Sequence, residues 1–190
     1  SGDDHLNGTS GNDMIYGYEG DDNLYGQAGD DTLDGGDGED WFYGGAGNDT
    51  ITGGSGFDRL DFRDSTTPVS VDIGTGTATG TDIGTDTFTE VERVIGSHFD
   101  DVLIGSDDYG ESFTGEGGND TIDGKGGTDI VWYGRSTSGL TLDLSTGTAT
   151  NDAGTDQLSS IEWVSASNFS DTLLGSDGDD GFLSLIHISE

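Results

Sequence analysis

The chain has 190 residues, of which 5 are Lys or Arg and 39 are Asp or Glu, so its formal net charge is -34, and only 29% of the residues are apolar. This balance excludes nucleic acid and anionic membrane surfaces as partners, and it leaves too little apolar surface for a conventional globule to fold unaided. There is no cysteine for disulfides or thiolate metal sites, and no apolar run is long enough to span a bilayer. Divalent cations remain as partners that would offset the charge.

The first predicted elements, in residues 1–61, are nonapeptide repeats that keep one register. After the partial copy GDDHLN they read GTSGNDMIY, GYEGDDNLY, GQAGDDTLD, GGDGEDWFY, GGAGNDTIT and GGSGFDRLD. Position four of each nonapeptide is always Gly, position six is always Asp and position eight is always apolar. The position-six residues are Asp4, Asp13, Asp22, Asp31, Asp40, Asp49 and Asp58.

Each repeat divides into a turn and a strand. The six leading residues are rich in Gly, Asn and Asp, which tolerate left-handed backbone and therefore predict a turn. The last three predict a very short strand whose central apolar side chain points to one side. Two repeats would make one coil, and stacked coils would give an all-β solenoid of parallel strands. Its position-six carboxylates would stack about 4.8 Å apart, where they repel unless Ca2+ lies between them.

These nonapeptides resemble the RTX, or haemolysin-type, calcium-binding repeat G-G-x-G-x-D-x-U-x. The resemblance implies a parallel β-roll or β-helix solenoid that binds several Ca2+ ions. Each ion would lie between adjacent turns, held by backbone carbonyls of positions one to four and by two position-six carboxylates. The implied pairs are Asp4 with Asp22, Asp13 with Asp31, Asp22 with Asp40, Asp31 with Asp49, and Asp40 with Asp58. The glycines expected at the sites are Gly17, Gly20, Gly26, Gly29, Gly35, Gly38, Gly44 and Gly47. Thr9, Tyr18 and Gln27 replace the second glycine of the pattern, which predicts weaker sites there.

Longer, non-nonapeptide segments follow, and they occur twice. FDRLDFRDSTTPVSVDI, beginning at Phe57, reappears as TDIVWYGRSTSGLTLDL, beginning at Thr128. The alternation in VSVDI and LTLDL predicts strands, TGTAT predicts a turn followed by a strand of small residues, and VERVI and IEWVS predict further strands. We therefore interpret 62–100 and 133–170 as longer coils of the same solenoid rather than as helices.

The nonapeptide phase returns at 101–132, where Asp101, Glu111, Asp120 and Asp129 occupy position six, and again at 171–182 with Asp171 and Asp180. The loop GSDDYGES is one residue too long, which predicts a distorted or empty site. Residues 183–190, LSLIHISE, fit no repeat phase and resemble the translation of a sequencing-adapter end, so we expect a non-native tail. Together with the lack of an initial Met, this predicts a fragment continuous with further domains.

Other motifs give weaker signals. GNDTIDGKGG has the wrong spacing for a phosphate loop, and no Asp run continues into the bidentate Glu of an EF-hand. Tyr25 and Tyr43 should stack on one outer face, with Tyr16 on the opposite face and Trp41 nearby. They predict either cross-strand packing or a surface for sugar rings.

The sequence thus predicts a secreted, extracellular, non-catalytic module that folds on binding Ca2+ and belongs to a larger bacterial protein exported by type I secretion. One alternative is a carbohydrate-binding or adhesive module whose partner is a polysaccharide or cell-surface glycan. Another is the C-terminal part of an RTX protease or lipase whose catalytic residues lie elsewhere.

Overall fold

A computed structural model describes residues 2–176 and 178–183. Within those ranges the regular elements are β-strands, and no helix there is long and apolar enough to cross a membrane. The strands, numbered in chain order, form two sheets. The first sheet contains, in spatial order, β1 (His5–Asn7), β3 (Asn23–Ala28), β5 (Trp41–Ala46), β7 (Arg59–Asp61), β11 (Arg93–Ile95), β13 (Ser112–Thr114), β15 (Ile130–Trp132), β19 (Trp163–Ser165) and β21 (Gly181–Leu183). The second sheet contains β2 (Met14–Glu19), β4 (Thr32–Asp37), β6 (Thr50–Ser55), β10 (Gly84–Thr89), β9 (Thr77–Gly80), β8 (Val69–Asp72), β12 (Val102–Ile104), β14 (Thr121–Asp123), β18 (Thr155–Ser159), β17 (Thr148–Thr150), β16 (Thr141–Asp143) and β20 (Thr172–Leu174).

Successive nonapeptides alternate between the two sheets, and each strand pairs in parallel with the strand two repeats away. Leu24 lies opposite Leu6 on one side and Phe42 on the other. In the second sheet Leu33 lies between Ile15 and Ile51 in the same way. The predicted all-β parallel solenoid is therefore confirmed in the nonapeptide region.

The core is the thin layer between the sheets, and the position-eight side chains fill it. The side chains of Leu24, Leu33, Phe42 and Leu60 are fully buried there. Full burial of such a side chain contributes roughly 1.5–3 kcal/mol. Because each coil places only two position-eight side chains in this layer, the apolar core alone is a modest source of stability.

The predicted three-residue strands are too short for most nonapeptides. Strands β2 to β6 each have six residues and continue past position nine into the start of the next turn. The strands are longer because the turns also stack in register and continue the ladder of backbone hydrogen bonds. Gln27 therefore pairs with Gly45, and Ala28 pairs with Ala46. The paired register skips the glycine at position one, whereas the glycine at position four still donates its backbone N–H to the next coil, as from Gly29 to Ala46 at 2.8 Å.

The longer segments, which we interpreted as longer coils of the same solenoid, also contain antiparallel strands that the sequence pattern did not predict. Strands β8, β9 and β10 form a meander in which Val69 lies opposite Gly80 and Thr87 lies opposite Thr77. The second copy repeats it with β16, β17 and β18. The connections inside each meander are only a few residues long, whereas a parallel crossover needs a dozen or more. The meanders still belong to the second sheet, because β10 pairs in parallel with β6 and β8 pairs in parallel with β12.

The first sheet passes the long segments without inserted strands. Val94 in β11 lies between Leu60 of β7 and Phe113 of β13. At the far end Leu183, the first residue of the predicted tail, belongs to β21 and accepts a backbone hydrogen bond from Ala166 at 2.8 Å. The rest of that predicted tail, 184–190, lies outside the described residues.

Candidate metal centre

The position-six carboxylates form two stacks, one along each edge of the solenoid. In the first stack the backbone N–H of each residue donates to the side chain of the next coil, as from Asp4 to Asp22 at 2.7 Å and from Asp22 to Asp40 at 2.8 Å. Asp40 continues the stack to Asp58 at 2.8 Å. The second stack runs from Asp13 to Asp31 at 2.8 Å and from Asp31 to Asp49 at 2.9 Å. All five pairs expected from the repeat pattern thus stand one above the other.

Only one oxygen of each carboxylate is used by this ladder. The second oxygen is buried and has no hydrogen-bond partner among the described residues in Asp22, Asp31, Asp40, Asp49, Asp58, Asp86, Asp129, Asp171 and Glu111. Buried polar atoms are normally paired, and leaving a carboxylate oxygen unpaired is costly. The repetition of one unsatisfied atom in successive coils indicates a missing positive partner rather than a local defect.

Backbone carbonyls converge on the same places. A Cβ added to the position-one residue Gly26 would stand 2.6 Å from Asp31 Oδ2 and would also collide with the carbonyl oxygen of Gly44. A Cβ on Gly17 would stand 2.5 Å from the carbonyl oxygen of Gly35 and would collide with Asp22 Oδ2. Position one is therefore glycine because a carboxylate and a carbonyl oxygen already crowd the space that a side chain would need.

The remaining glycines shape the turn. Position four is left-handed at Gly20, Gly29, Gly38 and Gly47, with φ between 118° and 148°. Position two is left-handed even where glycine is replaced, with φ of 77° at Tyr18 and 78° at Gln27. These replacements preserve the direction of the backbone and carry strain instead. Thr9 is different, because its turn has no left-handed residue.

The oxygen set suits Ca2+. Within the described residues no three His, Cys, Asp or Glu side chains converge closely enough to hold a metal alone. A cation in these turns would have to combine paired carboxylates with backbone carbonyls, and Ca2+ takes six to eight such oxygen ligands in flexible geometry. The residues present therefore fit a calcium ion.

Burial raises the pKa of the stacked carboxyl groups. The pKa of Asp49 rises to about 6, and the pKa values of Asp58 and Asp86 rise to about 7, chiefly because burial disfavours the charged form. Burial likewise raises the pKa of Asp129 to about 7 and of Asp120 to about 8. The backbone hydrogen bonds oppose this rise, while neighbouring carboxylates in the stack add to it. A cation would act in the opposite direction by favouring the ionised form.

The structure adds four acids that sequence reasoning missed. Asp49 donates its backbone N–H to Asp86 at 3.0 Å, and Asp58 donates to Glu92 at 2.9 Å. In the second copy Asp120 donates to Asp156 and Asp129 donates to Glu162. The signal was an acid two residues before a buried apolar residue, in DTF, ERV, DQL and EWV. It was hidden because these acids lie 33 to 37 residues from their partners instead of 18.

The second stack is interrupted at each meander. The carboxylate of Asp101 accepts the backbone N–H of Val69 at 2.8 Å, and Asp171 accepts that of Leu140 at 2.8 Å. Val69 and Leu140 occupy the places where position-six acids would stand. The stack therefore has no carboxylate at those two levels.

Glu111 keeps its place despite the long loop GSDDYGES. Its backbone N–H donates to Asp129 Oδ1 at 2.7 Å, and the extra residue is absorbed within the turn. The distorted or empty site expected there stays a prediction. Asp180 lies near the end of the described chain and accepts hydrogen bonds from Ser176.

The outer aromatic side chains mainly cover one another. The rings of Tyr25 and Tyr43 stack with centroids 4.3 Å apart and planes 3° apart, and His5 lies against Tyr25 at 4.7 Å. Arg59 lies over Trp41 at 5.0 Å from the ring centroid. This arrangement matches cross-strand packing of Tyr25, Tyr43 and Trp41, whereas Tyr16 and Tyr18 of the second sheet are 40% and 68% exposed.

The comparisons with known proteins agree with this geometry. Four copies of the RTX calcium-binding nonapeptide repeat match the chain, over residues 1–33, 25–60, 107–136 and 156–183. No curated protein matches it.

Proposed function

Because the chain belongs to the RTX calcium-binding nonapeptide repeat family, whose repeats bind multiple Ca2+ ions, we propose that calcium drives the folding of this module as a non-catalytic part of a larger secreted bacterial protein. The observation that supports the proposal is the row of buried carboxylate oxygens without partners among the described residues. Those of Asp22, Asp31, Asp40, Asp58 and Asp129 each lie beside a position-one glycine at which a Cβ would also collide with a backbone carbonyl oxygen.

The carboxylates with an unpaired buried oxygen on nonapeptide turns would hold the ions. They are Asp22, Asp31, Asp40, Asp49, Asp58 and Asp129, with Asp86 continuing the second stack. The position-one glycines Gly17, Gly26, Gly35 and Gly44 would bring carbonyls close, while Gly20, Gly29, Gly38 and Gly47 would turn the chain around them. Calcium supplies the positive charge that this set lacks.

The physical consequence is coupling between binding and folding. Without cations, 34 excess negative charges repel one another and the glycines keep their conformational entropy. With cations, each carboxylate pair becomes a clamp between two coils, so the free energy of binding becomes free energy of folding. A chain that stays unfolded at low cytosolic Ca2+ and folds outside the cell suits type I secretion.

Circular dichroism tests this proposal directly. We expect coil-like far-UV spectra in EDTA and β-sheet spectra as Ca2+ reaches ~0.1–1 mM, the range of weak extracellular sites. Mg2+ at the same concentration is the control, because it demands tight octahedral geometry and keeps its water. An unchanged β spectrum in EDTA, or equal folding in Mg2+, would contradict the proposal.

The glycan alternative has less support. A sugar ring stacks on an open aromatic face, but the faces of Tyr25, Tyr43 and Trp41 lie against neighbouring side chains. The structure therefore favours a packing role for these residues.

A further inference from the structure

The turns of this solenoid fall into two kinds that differ at position two. In seven turns position two is left-handed, with φ between 66° and 111°; these residues are Tyr18, Gln27, Gly36, Gly45, Gly54, Glu116 and Lys125. We name them cation turns. In five turns position two is Ser or Thr; these residues are Thr9, Ser97, Ser106, Ser167 and Ser176. We name them hydroxyl-capped turns.

In the hydroxyl-capped turns the position-two residue bonds to the carboxylate of its own turn. Ser97 donates its backbone N–H to Asp101 Oδ2 at 2.6 Å and its hydroxyl to Oδ1 at 2.7 Å. Thr9 donates its N–H and hydroxyl to Asp13 Oδ2 at 2.6 and 2.9 Å. Ser176 bonds to Asp180 in the same manner. Both oxygens of Asp101 and Asp180 therefore accept hydrogen bonds from protein donors, and Oδ2 of Asp13 accepts two.

The other two hydroxyl-capped turns are capped in part. The hydroxyl of Ser106 donates to Glu111 Oε1, and that of Ser167 donates to Asp171 Oδ1 at 2.5 Å. In each the second carboxylate oxygen is buried without a partner among the described residues. In all five turns the same hydroxyl oxygen also accepts a backbone N–H from two residues further on. The hydroxyl of one side chain thus closes the turn and also supplies one of the hydrogen bonds that the carboxylate of that turn accepts.

The cation turns differ from the hydroxyl-capped turns at the second oxygen of the position-six carboxylate. In six of the seven cation turns the second oxygen of the position-six carboxylate is buried without a partner among the described residues; these carboxylates belong to Asp22, Asp31, Asp40, Asp49, Asp58 and Asp129. Within the described residues these carboxylates accept the backbone N–H of a neighbouring coil and no hydrogen bond from their own turn.

A second observation supports the division. Where one cation turn stacks on another, position two is glycine, because a Cβ on Gly36, Gly45 or Gly54 would collide with the position-two carbonyl of the coil before it. Where a cation turn follows a hydroxyl-capped turn, position two carries a side chain: Gln27 follows Thr9, Glu116 follows Ser97 and Lys125 follows Ser106. The two kinds therefore differ in backbone path and not only in side chain.

We infer that Ser or Thr at position two replaces the calcium ion, so that Thr9, Ser97 and Ser176 complete their turns without a cation while the cation turns depend on one. This inference rests on the proposed function and specifies which turns take part in it. The turn after the first meander is that of Ser97, so the solenoid resumes there with a turn that needs no ion, whereas the Ser167 turn after the second meander is capped only in part.

The test counts bound Ca2+ by equilibrium dialysis of the full chain at saturating calcium. Asp40→Asn and Asp101→Asn are matched variants, since both side chains are buried and both accept a backbone N–H from the neighbouring coil. We expect Asp40→Asn to lower the number of bound ions and Asp101→Asn to leave it unchanged. Equal losses in the two variants would overturn the inference while leaving the proposed function intact. A wild-type chain that binds no calcium would instead refute the proposed function.

A variant designed to gain a calcium site distinguishes the inference from a loss of calcium that is caused only by misfolding. Ser97→Gly combined with Phe99→Gly gives this turn the glycines of a cation turn, and Phe99 is 41% exposed, so little packing is lost. We expect the double variant to bind more calcium than the wild type and to require it for the β spectrum of this region. A double variant with an unchanged ion count would show that the hydroxyl does not exclude the cation and would overturn the inference.

Discussion

Asp31 contacts three neighbouring residues through its side chain and its backbone N–H. Its Oδ1 accepts the backbone N–H of Asp13 and its own N–H donates to Asp49. Its Oδ2 lies in the crowded space beside Gly26 and has no partner in the part of the chain that the structure describes. Asp34, three residues later, stands on the outer face of β4 and is partly exposed. The same residue type therefore has opposite roles at positions six and nine.

Replacement of these aspartates should separate the roles. We expect Asp31→Ala to raise the midpoint of the calcium-dependent folding transition several-fold and to broaden it, because two coil junctions lose a clamp and the loss spreads to neighbouring coils. Asp4→Ala should only fray the first coil, and Asp34→Ala should change little. Calcium titrations followed by circular dichroism under one condition compare the three. If Asp34→Ala proved as costly as Asp31→Ala, the register would be wrong.

Position two offers a paired prediction about backbone strain. Gln27→Gly should stabilise the calcium-loaded protein by about 0.5–1 kcal/mol, because removal of left-handed strain of about 1–2 kcal/mol outweighs the extra chain entropy of glycine. Gly45→Ala should destabilise it by about 2 kcal/mol or more, since its Cβ would collide with the Gln27 carbonyl. Urea unfolding at fixed calcium measures both. A stabilising Gly45→Ala would show that the stacked turns have more room than the structure gives them.

At the scale of elements, the nonapeptide strands could be predicted and the meanders could not. Each nonapeptide position has one role, so the register of Asp22 over Asp4 and Leu24 over Leu6 follows from counting. The meanders depend on pairings between short polar strands, such as TATG with GTDTFT, which carry no period of their own. Asp86 was missed for this reason, because its place in the stack depends on how far β10 folds back rather than on its distance along the chain.

The meander also contains an acid whose role is purely structural. Asp82 accepts hydrogen bonds from the hydroxyls of Ser65 at 2.8 Å and Thr67 at 2.5 Å and from the backbone N–H of Thr66 at 2.6 Å. Burial opposes ionisation, but these donors outweigh it and hold the pKa of Asp82 well below its usual range. A lowered folded-state pKa gives stability that is present above the ordinary value and is lost as pH falls toward the folded value.

Asp82→Ala should therefore loosen the loop at 64–68 without changing the number of bound ions. We expect faster amide hydrogen exchange at Thr66 in the variant and unchanged exchange in β3 to β5. Asp152, which plays the same part with Ser136, Thr137 and Ser138, provides the matched site in the second copy. Loss of bound calcium in Asp82→Ala would contradict this assignment.

For the whole molecule, the raised pKa values predict opposite pH responses with and without calcium. The ion-free folded chain holds protons on Asp49, Asp58, Asp86, Asp120 and Asp129 up to pKa values between about 6 and about 8, against an ordinary value of 3.8. The folded state therefore binds more protons than the unfolded state, and its stability should fall as pH rises from about 4 to about 8. Calcium competes with these protons, so its affinity should rise over the same interval.

Circular dichroism in EDTA at pH 5 and pH 8 measures the first effect, and calcium titrations at the same two values measure the second. We expect more β structure at pH 5 than at pH 8 in EDTA, and a lower calcium midpoint at pH 8. Spectra in EDTA that do not depend on pH would show that protonation cannot substitute for the ion.

The missing carboxylates at Val69 and Leu140 divide one edge of the molecule into compartments. When the coils before Val69 lose their ions, no carboxylate at Val69 connects them to the coils that follow along that edge. The next turn of the stack, Ser97 to Asp101, is already closed by the hydroxyl of Ser97. The first stack continues past the first meander from Asp58 to Glu92, so the interruption is confined to this one edge. Along this edge we expect the loss of ions to stop at the meander, and a long array built from such units would release its ions from this edge segment by segment.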